Sequence, residues 1–479
     1  MAPSGGAVLP AIAGLTADSR QVAPGFLFAA LPGSRVDGRA HIADAVARGA
    51  AAVLAPEGTT WPHDVPARPL LLSADPRRAL ALAAAAFHGA QPKIAVAVTG
   101  TNGKTSTAEF LRQLWALTGQ PAASLGTLGL VAEGFPPGPS LTTPDPVSLH
   151  ATLAALQRAG VEHVALEASS HGLDQRRLDG VRLAAAGFSN LTRDHLDYHG
   201  GMEGYRAAKL RLFDTLLRPG CPVVASADME AATLDALLRI ARERGLPAWT
   251  TGTAGREIRL RQQRPLPRGQ VLELDAWGEA ATVELALPGA YQAQNVMLAL
   301  GLAVATGLDR ARALGLLPAL RGVRGRMELA AELPNGAAVY VDYAHTPDAL
   351  ERLLEALRPH VGPGGRLQVV FGAGGDRDPG KRPLMGAACA ALADVCWVTD
   401  DNPRSEDPAA IRAAILAACP GGIEVGDRAA AIAAALDALR PGDVLAVAGK
   451  GHESGQTVGG ITLPFDDVET VRRLAGLPA

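Results

Sequence analysis

The sequence predicts an α/β protein with three domains, the last of them built on a doubly wound parallel sheet. A chain of 479 residues is longer than one hydrophobic core usually organises. Short apolar runs of strand length recur along it and alternate with alanine-rich segments of helical pattern, as in α/β folds. Shifts in composition divide the chain into three blocks, which we place at residues 1–90, 91–323 and 324–479.

The first block has the pattern of a small α/β domain. Three strand-like runs cover residues 28–30, 52–54 and 70–72, and a helical apolar run follows at residues 79–87. That run is much too short to cross a bilayer. A turn-forming segment, Gly89-Ala90-Gln91-Pro92, ends the block.

Charge and cysteine content exclude several classes of protein. With 45 Lys+Arg against 48 Asp+Glu, the net charge of −3 favours neither a nucleic-acid nor a membrane partner. The four cysteines form no C-x-x-C pair, which is typical of a reduced protein. No basic residue precedes Arg20, so no secretory signal is expected. These features predict a cytoplasmic protein.

The second block opens with a predicted phosphate-binding loop. The apolar run 94–98 leads into Thr99-Gly100-Thr101-Asn102-Gly103-Lys104-Thr105-Ser106, and a helical pattern with Phe110, Leu111, Leu114 and Trp115 on one face follows. Backbone N–H groups of such a loop surround a polyphosphate, the lysine neutralises it, and the hydroxyl after the lysine reaches Mg²⁺. Val98 stands where the usual P-loop spacing requires glycine, so a generic NTPase pattern fits imperfectly.

Further strand candidates in this block lie at residues 163–167, 185–189 and 222–226. Glu167 closes the first of these, a position that suits a Mg²⁺ ligand beside a phosphate loop. The alternative is that residues 167–171 only cap the next helix. His195 lies among carboxylates in the loop after the second run, which favours a ligand role. Nothing in the spacing distinguishes Lys209 from a solvated helix lysine.

The third block shows four apolar runs that each end in a polar or glycine turn, as in a doubly wound parallel sheet. The runs 339–341, 367–371, 395–398 and 444–447 precede Asp342, Gly372, Thr399 and Gly449. Ligand groups collect at the carboxyl ends of such strands. The loops 372–378, 400–404 and 449–453 offer arginines and acids suited to a small zwitterion. Any one of them could be surface turn chemistry, and the glycine cluster alone is weak evidence for a dinucleotide site.

Taken together, these motifs resemble the Mur ligase family, whose members form amide bonds of the peptidoglycan stem peptide with ATP. The marks run along the whole chain: 100–105, 167–171, 190–200, 205–209, 325–328 and 342–347. Five further segments are similar to the branch that adds diaminopimelate as the third residue. They are Asp18-Ser19-Arg20, Thr142-Thr143-Pro144, Gly375-Asp376-Arg377-Asp378, Asp401-Asn402-Pro403-Arg404 and Gly449-Lys450-Gly451-His452-Glu453.

The resemblance implies a role for each matching residue. Catalysis would rest on Lys104, Glu167, His195 and Lys209. Contacts to ATP would come from Gly100, Thr101, Asn102, Gly103, Lys104, Thr105, Ser106, Asn295, Arg326 and Asp342. The UDP-muramoyl-dipeptide would contact Ser19, Ser34, Arg35, Val36, Thr142, Thr143, Ser169, Gln175 and Arg177. Diaminopimelate would contact Arg377, Asp401, Asn402, Pro403, Arg404, Gly449 and Glu453. Mg²⁺ ligands would be Thr105, Glu167, His195 and Lys209, the last as N6-carboxylysine.

The resemblance also implies the organisation of the enzyme and its partners. Its domains would be an N-terminal α/β domain that binds the UDP-sugar, a central P-loop-type mononucleotide-binding domain that binds ATP and a C-terminal Rossmann-like domain that binds the amino acid. A monomer is expected. Two residues depart from the family pattern, Ala373 in place of a cysteine and Gln292 in place of an asparagine. Lysine-adding and D-alanyl-D-alanine-adding Mur ligases and folylpolyglutamate synthase are the enzymatic alternatives. A non-catalytic nucleotide-binding regulator is the alternative from another class.

Overall fold

The computed structural model describes residues 10–33, 36–136 and 141–478. The predicted substrate contacts Ser34 and Arg35 lie outside these residues. The chain forms two compact units. Among the described residues, unit 1 comprises those up to 249 together with 302–308, and unit 2 comprises those at 250–301 and from 309 onward.

Unit 1 begins with a four-stranded parallel sheet in the order β1-β2-β3-β4. Its elements are β1 (Gly14–Thr16), β2 (Phe26–Ala29), α1 (Ile42–Ala47), β3 (Ala52–Pro56), β4 (Leu70–Ser73) and α2 (Pro76–His88). Three of these strands confirm the runs predicted in the first block. The buried side chains of β2 and β3 alternate between two apolar clusters, one of which includes Leu80 and Ala84 of α2. The sheet is therefore covered on both faces, which explains why its strands are almost wholly apolar.

A second sheet in unit 1 has the strand order β10-β9-β5-β8-β6-β7, and all pairs are parallel except β6 with β7. The strands are β5 (Ile94–Thr99), β6 (Ala122–Gly126), β7 (Gly129–Ala132), β8 (His163–Glu167), β9 (Leu183–Phe188) and β10 (Val223–Ser226). The helices are α3 (Lys104–Leu117), α4 (Pro146–Arg158), α5 (Ser170–Asp174), α6 (Leu196–His199), α7 (Met202–Arg211) and α8 (Ala231–Glu243). The sequence predicted four of these strands but not the β6–β7 hairpin.

Helix α3 explains how the phosphate loop is held. Phe110, Leu111, Leu114 and Trp115 are each no more than 1% exposed, so the predicted apolar face is the buried face. Each fully buried side chain of this size contributes about 1.5–3 kcal/mol to stability. The apolar face therefore fixes the helix whose first residue, Lys104, ends the loop.

Ion pairs and amide contacts join the two sheets of unit 1. Arg176 Nε donates to Asp75 Oδ2 at 2.9 Å, and Gln91 Nε2 donates to the Gly180 carbonyl at 2.9 Å. Gln91 also accepts the backbone N–H of Arg182 at 3.0 Å. Because Gln91 is buried and satisfied at both ends of its amide, the link between the two sheets is well defined.

Unit 2 contains an antiparallel meander that the sequence did not predict. Its strands are β12 (Ile258–Leu266), β13 (Gly269–Ala276) and β14 (Glu279–Leu285), and β12 also pairs with residues 251–252 of β11 (Ala248–Gly252). The strands alternate buried and exposed residues and carry several charges, so they lack the continuous apolar runs that mark parallel strands. Helices α9 (Ala290–Ala305) and α10 (Arg310–Leu316) follow.

The rest of unit 2 is a six-stranded sheet in the order β15-β16-β20-β17-β18-β19. Its strands are β15 (Glu328–Glu332), β16 (Ala338–Asp342), β17 (Leu367–Phe371), β18 (Val395–Val398), β19 (Ile423–Glu424) and β20 (Val444–Ala448). Helices α11 (Pro347–Leu357), α12 (Lys381–Leu392), α13 (Pro408–Leu416), α14 (Arg428–Asp437) and α15 (Asp467–Leu474) cover it, and a hairpin adds β21 (Gly455–Val458) and β22 (Ile461–Pro464). Only β15 pairs antiparallel.

Side chains of this sheet alternate between two cores, which confirms the predicted doubly wound arrangement. Tyr340 and Val369 belong to a cluster with helices α11, α12 and α13, whereas Val339 and Val370 belong to a cluster with α14. All four predicted apolar runs are strands here. Their carboxyl ends lie at one edge, so the loops that follow them are neighbours.

Among the described residues, no helix has the length and apolar character needed to cross a membrane.

Candidate active site

The phosphate loop connects β5 to α3 and depends on two glycines. Gly100 and Gly103 have φ of 146° and 83°, in the region that favours glycine. A Cβ at Gly100 would lie 2.0 Å from Ser189 Oγ. Lys104 Nζ donates to the carbonyls of Gly100 at 2.8 Å and Thr101 at 2.7 Å, so its ammonium lies inside the loop.

Residues that follow β9 hold the loop from the other side. Asn190 Oδ1 accepts the N–H of Asn102 at 2.9 Å, and its carbonyl accepts the N–H of Thr101 at 2.9 Å. Ser189 Oγ donates to the Asn102 carbonyl at 2.5 Å. The loop conformation is therefore set by a neighbouring strand as well as by its own glycines.

Glu167 lies at the end of β8 and is only 3% exposed. Its carboxylate accepts the N–H of Thr127 at 2.7 Å and Thr127 Oγ1 at 3.2 Å. A Cβ at Gly126 would overlap this carboxylate, with Oε1 2.1 Å away, so glycine is required there. Sequence reasoning missed Thr127, although the rule that polar residues follow strand ends applies to it directly because it follows β6.

The residues predicted to hold the dipeptide lie around Glu167. Thr143 Oγ1 donates to the Glu167 carbonyl at 2.9 Å and lies 3.0 Å from Ser169 Oγ, which caps α5 by accepting the N–H of Gly172. Arg177 Nη1 donates to the Thr143 carbonyl at 2.6 Å, and its Nη2 donates to Gln175 Oε1 at 2.7 Å. Thr142 Oγ1 lies 3.0 Å from Thr127 Oγ1. Ser169 therefore caps a helix, as the alternative interpretation held, and also belongs to this group.

His195 has a left-handed backbone, with φ of 51°, and a half-exposed side chain. Its Nε2 lies 3.4 Å from Asp194 Oδ2, and its ring packs edge-on against His171 with ring centroids 4.7 Å apart. The ring of Tyr198 also packs against His171, with ring centroids 4.0 Å apart. Sequence reasoning assigned no role to either aromatic neighbour.

Lys209 is buried, with 1% exposure, and lies at the phosphate loop. Its Nζ donates to the Gly100 carbonyl at 2.7 Å, the same oxygen that Lys104 contacts at 2.8 Å. Burial, followed by the charge of Lys104, lowers the pKa of Lys209 well below its usual value. Loss of the proton is therefore easier for Lys209 than for a solvated helix lysine.

The donors near the loop fit a hard divalent cation. Mg²⁺ prefers oxygen ligands, and Thr105 supplies a hydroxyl and Glu167 a carboxylate at the same sheet edge. Within residues 10–33, 36–136 and 141–478, no group of three or more His, Cys, Asp or Glu side chains is arranged to hold a metal ion. Any cation bound there therefore needs further ligands of another kind, such as phosphate oxygens or a modified lysine.

In unit 2, one glutamine joins two of the three remaining residues predicted to contact ATP, and the third bonds next to them. Gln292 is 1% exposed, accepts from Asn295 Nδ2 at 3.1 Å and donates to the Arg326 carbonyl at 3.3 Å. Asp342 Oδ2 accepts the N–H of Met327, next to Arg326, at 2.7 Å. Burial raises the pKa of Asp342. Gln292, which departs from the family pattern, thus keeps an amide where the pattern has one.

Loops after β18 and β20 meet in a buried polar network. Lys450 is 0% exposed, and its Nζ donates to Asn402 Oδ1 at 3.0 Å and lies 3.5 Å from Asp401 Oδ1. Asn402 Nδ2 donates to Glu453 Oε2 at 3.0 Å. Burial lowers the pKa of Lys450. Lys450 belongs to the sequence motif at 449–453, which predicted no role for it, and it is the centre of this network.

Arg404 lies beside the glycine loop that follows β17. Its Nη1 donates to the Gly375 carbonyl at 2.7 Å, and its backbone is left-handed, with φ of 53°. A Cβ at Gly375 would lie 1.9 Å from the Pro403 carbonyl, so the two loops are in close contact. A Cβ at Gly449 would lie 3.6 Å from the Asp401 carboxyl carbon. Arg377 is exposed at the rim of this cluster.

Two residues predicted to contact the UDP-linked substrate, Ser19 and Val36, differ in how far they are exposed to solvent. Ser19 is 8% exposed and follows Asp18, whose side chain accepts the N–H of Arg20. Val36 is 58% exposed, as expected of a residue available to a ligand.

His452 is expected to make the stability of the protein depend on pH. Burial, together with Arg326 and Arg324, lowers its pKa to about 4 from 6.5. As pH falls from 6.5 to 4, the unfolded chain binds a proton that the folded one does not, so stability falls by at most about 1.4 kcal/mol per pH unit. We expect the wild type to lose more thermal stability than His452→Asn across this window, measured by calorimetry at matched pH values. Parallel losses in both proteins would contradict this.

The phosphate loop and the C-terminal sheet together indicate a class of enzyme. The chain has a strand, a glycine loop and a Lys-Thr helix, with a buried acid on the adjacent strand. It also has a doubly wound sheet with charged loops. This combination is typical of a nucleotide-dependent α/β enzyme. Models of one family match most of the chain: "Mur ligase family, catalytic domain" at residues 11–114, "Mur ligase middle domain" at 98–303 and "Mur ligase, glutamate ligase domain" at 325–451.

Relatives and a solved structure agree with the family models. A protein of Caulobacter vibrioides is 56% identical over 98% of this chain and 97% of its own length, and one of Agrobacterium fabrum is 52% identical over 96% and 92%. Both are named UDP-N-acetylmuramoyl-L-alanyl-D-glutamate–2,6-diaminopimelate ligase. A solved structure of a ligase with that name is 33% identical, with a TM-score of 0.71 and coverage of 97% of this chain and 95% of that one.

The chain belongs to the Mur ligase family. It is therefore an ATP-dependent ligase that forms amide bonds, and the predicted α/β architecture with three domains is confirmed.

Proposed function

We propose that this enzyme joins the amine of meso-2,6-diaminopimelate to the D-glutamate carboxylate of UDP-N-acetylmuramoyl-L-alanyl-D-glutamate, with ATP consumed. The observation that carries the proposal is that loops 400–404 and 449–453 form one polar network beside Arg404, in a chain 56% identical to a ligase of that name. The same identity disfavours the lysine-adding, D-alanyl-D-alanine-adding and folylpolyglutamate-forming alternatives.

A carboxylate must be activated before an amine can displace its oxygen. The γ-phosphoryl group of ATP passes to the D-glutamate carboxylate, giving an acyl phosphate and ADP. Backbone N–H groups of residues 100–105 and the ammonium of Lys104 would hold the phosphates in line with that carboxylate. Mg²⁺, held through Thr105, Glu167, His195 and Lys209, would neutralise phosphate charge when bound. Asn295, Arg326 and Asp342 complete the proposed ATP contacts.

Lys209 supports this reaction in a modified form, N6-carboxylysine. An amine attacks CO₂ only when neutral, and burial beside Lys104 favours the neutral amine. The product has a carboxylate-like end, which supplies the oxygen ligands that Mg²⁺ prefers. A lysine without a sequence signal would thereby become part of the metal site.

The amine then attacks the acyl phosphate and releases phosphate. Arg404 and Arg377 would bind the carboxylates of diaminopimelate, while Asp401 and Glu453 would bind its ammonium groups. Asn402, Pro403 and Gly449 would line the same pocket. Glu453 or a histidine would take the proton that the attacking amine must lose.

The remaining assignments concern the nucleotide substrate and the cellular setting. Ser19, Ser34, Arg35 and Val36 would hold the UDP end, and Thr142, Thr143, Ser169, Gln175 and Arg177 the dipeptide. Domains at 1–90, 91–323 and 324–479 would bind UDP-sugar, ATP and amino acid respectively. The enzyme would act as a cytoplasmic monomer, on small-molecule substrates.

A substrate panel tests the proposal. Phosphate release is measured with ATP, Mg²⁺ and the UDP-linked dipeptide, with diaminopimelate, lysine, D-alanyl-D-alanine or glutamate as the amine. We expect release above background with diaminopimelate and little with the others. Equal rates with lysine would overturn the substrate assignment, and ATP binding without amine-dependent release would favour a regulator.

Arg404 is expected to select the amine. Diaminopimelate has a distal carboxylate that lysine lacks, and a charge-assisted pair to it contributes about 1.5–3 kcal/mol. Arg404→Ala should therefore lower kcat/KM for diaminopimelate by about 10- to 150-fold, since 1.4 kcal/mol is tenfold. Arg473→Ala, at an exposed position of α15, serves as an arginine control. An unchanged kcat/KM for diaminopimelate in Arg404→Ala would contradict this role.

A further inference from the structure

The hairpin β21–β22 has no role in the function proposed above, yet it contacts the loop that carries Arg404. We propose that this hairpin, through Gln456 and the backbone of Thr457, positions residues 401–404 and thereby sets the affinity for the amine substrate. The inference rests on the proposed function, because residues 401–404 must bind that amine. Gln456 and Thr457 are positioning residues and touch no reacting atom.

The hairpin binds both backbone polar groups of Arg404. The N–H of Arg404 donates to the Thr457 carbonyl at 3.0 Å, and the Arg404 carbonyl accepts the N–H of Gly459 at 2.7 Å. This forms an isolated parallel bridge between Arg404 and Val458. Arg404 has φ of 53°, which is unfavourable for a residue with a side chain. A conformation of this kind persists only where its surroundings hold it, and the hairpin supplies two of the bonds that do so.

Asp401 and Asn402 are tethered to the same strand. Gln456 Nε2 donates to the Asp401 carbonyl at 2.9 Å and to the Asp400 carbonyl at 3.4 Å. The N–H of Thr457 donates to Asn402 Oδ1 at 2.9 Å. Because Asn402 Oδ1 also accepts from Lys450, the orientation that points Asn402 Nδ2 at Glu453 is fully specified.

The hairpin contributes little to the hydrophobic core. Val458, Ile461 and Leu463 are 40%, 66% and 54% exposed, and all four residues of β22 are exposed. An isolated two-stranded hairpin is marginally stable in water. Its order therefore depends on its bonds to residues 400–404 and on the Lys450 Nζ bond to the Gly455 carbonyl at 2.8 Å. Loop and hairpin stabilise each other, so weakening one should loosen the other.

Gln456→Met tests the role of the hairpin, because methionine keeps the length of the side chain and removes both donors. We expect KM for diaminopimelate to rise about three- to tenfold, the effect of losing one or two hydrogen bonds. KM for ATP and for the UDP-linked dipeptide should stay within twofold, and kcat at saturating amine should change less than KM, by about twofold. Ile461→Ala is the control within the hairpin, because Ile461 is 66% exposed and pairs with Val458 rather than with Gln456, and it should leave all three KM values unchanged.

Hydrogen exchange provides a readout that does not depend on activity. The amides of residues 402 and 404–406 should exchange faster in Gln456→Met than in the wild type, whereas Ile461→Ala should match the wild type. Unchanged exchange at these amides together with an unchanged KM for diaminopimelate would overturn the positioning role. A wild-type enzyme without diaminopimelate-dependent phosphate release would instead overturn the proposed function, so the two failures are distinct.

Discussion

Lys104→Ala is expected to lower kcat by about 10²–10³-fold, the usual effect of removing one preorganised charged donor from a developing phosphoryl charge. The ammonium of Lys104 is held inside the loop by the carbonyls of Gly100 and Thr101, so little reorganisation is needed when phosphates bind. ATP affinity should fall as well, because the same charge attracts the ground-state phosphates. Steady-state kinetics of phosphate release, with all three substrates varied, would measure both effects.

The chain offers a matched lysine control for this experiment. Lys93 lies immediately before β5, at the opposite end of the strand from the phosphate loop, and is exposed. Lys93→Ala should therefore leave kcat unchanged while altering the total charge by the same amount. A comparable loss in both variants would mean that net charge, rather than the position of Lys104 in the loop, governs the rate.

Much of the fold could be predicted because parallel strands are buried on both faces. Such strands have nearly continuous apolar runs, and all eleven predicted runs are strands of the structure. The meander β12–β14 was missed because its strands alternate apolar and charged residues, as in Glu273 and Asp275 of β13. A sheet with one exposed face gives a weaker sequence signal than one with two buried faces.

The candidate site was predictable where it follows strand ends, and less so elsewhere. Glu167, Asp342 and Asp401 stand at or just after the ends of β8, β16 and β18, a position that the sequence alone reveals. Thr127 and Gln456 lie after or within hairpin strands that were not predicted, so their contacts to Glu167 and Asp401 were invisible. Lys450 shows a different limit, since no periodicity distinguishes a buried lysine from an exposed one.

The environment of Lys209 distinguishes a functional lysine from a structural one. Two lysines, Lys104 and Lys209, donate to the single carbonyl of Gly100, and Lys209 is almost completely buried. Two ammonium groups at such a short separation repel each other, and desolvation further disfavours the positive charge of Lys209. A residue selected only for stability would not be a lysine here. The cost in folding free energy is therefore expected at a residue retained for chemistry.

Lys209→Met is accordingly expected to abolish activity and to stabilise the protein. In the folded state the pKa of Lys209 lies well below 10.5, so between that pKa and 10.5 the unfolded chain binds a proton that the folded one does not. Stability of the wild type should therefore rise with pH across this window, and the rise should be absent in the variant. The measurement is the thermal midpoint of each protein in bicarbonate-free buffer as a function of pH. Subtracting the wild-type midpoint from that of the variant removes the contributions of titrating groups that the two proteins share.

Carbon dioxide provides the second half of this test, because the amine and its carbamate are in equilibrium. Wild-type kcat should fall in CO₂-free buffer and recover on addition of bicarbonate. In both buffers, kcat of Lys209→Met should stay more than about 10²-fold below that of the wild type with bicarbonate. Lys93→Met is a suitable control, since Lys93 is exposed just before β5, at the end of the strand away from the phosphate loop. If bicarbonate does not change wild-type kcat while Lys209→Met is inactive, the neutral amine itself is the active form. If Lys209→Met retains wild-type kcat, then Lys209 has no part in the reaction, and its burial beside Lys104 requires another explanation.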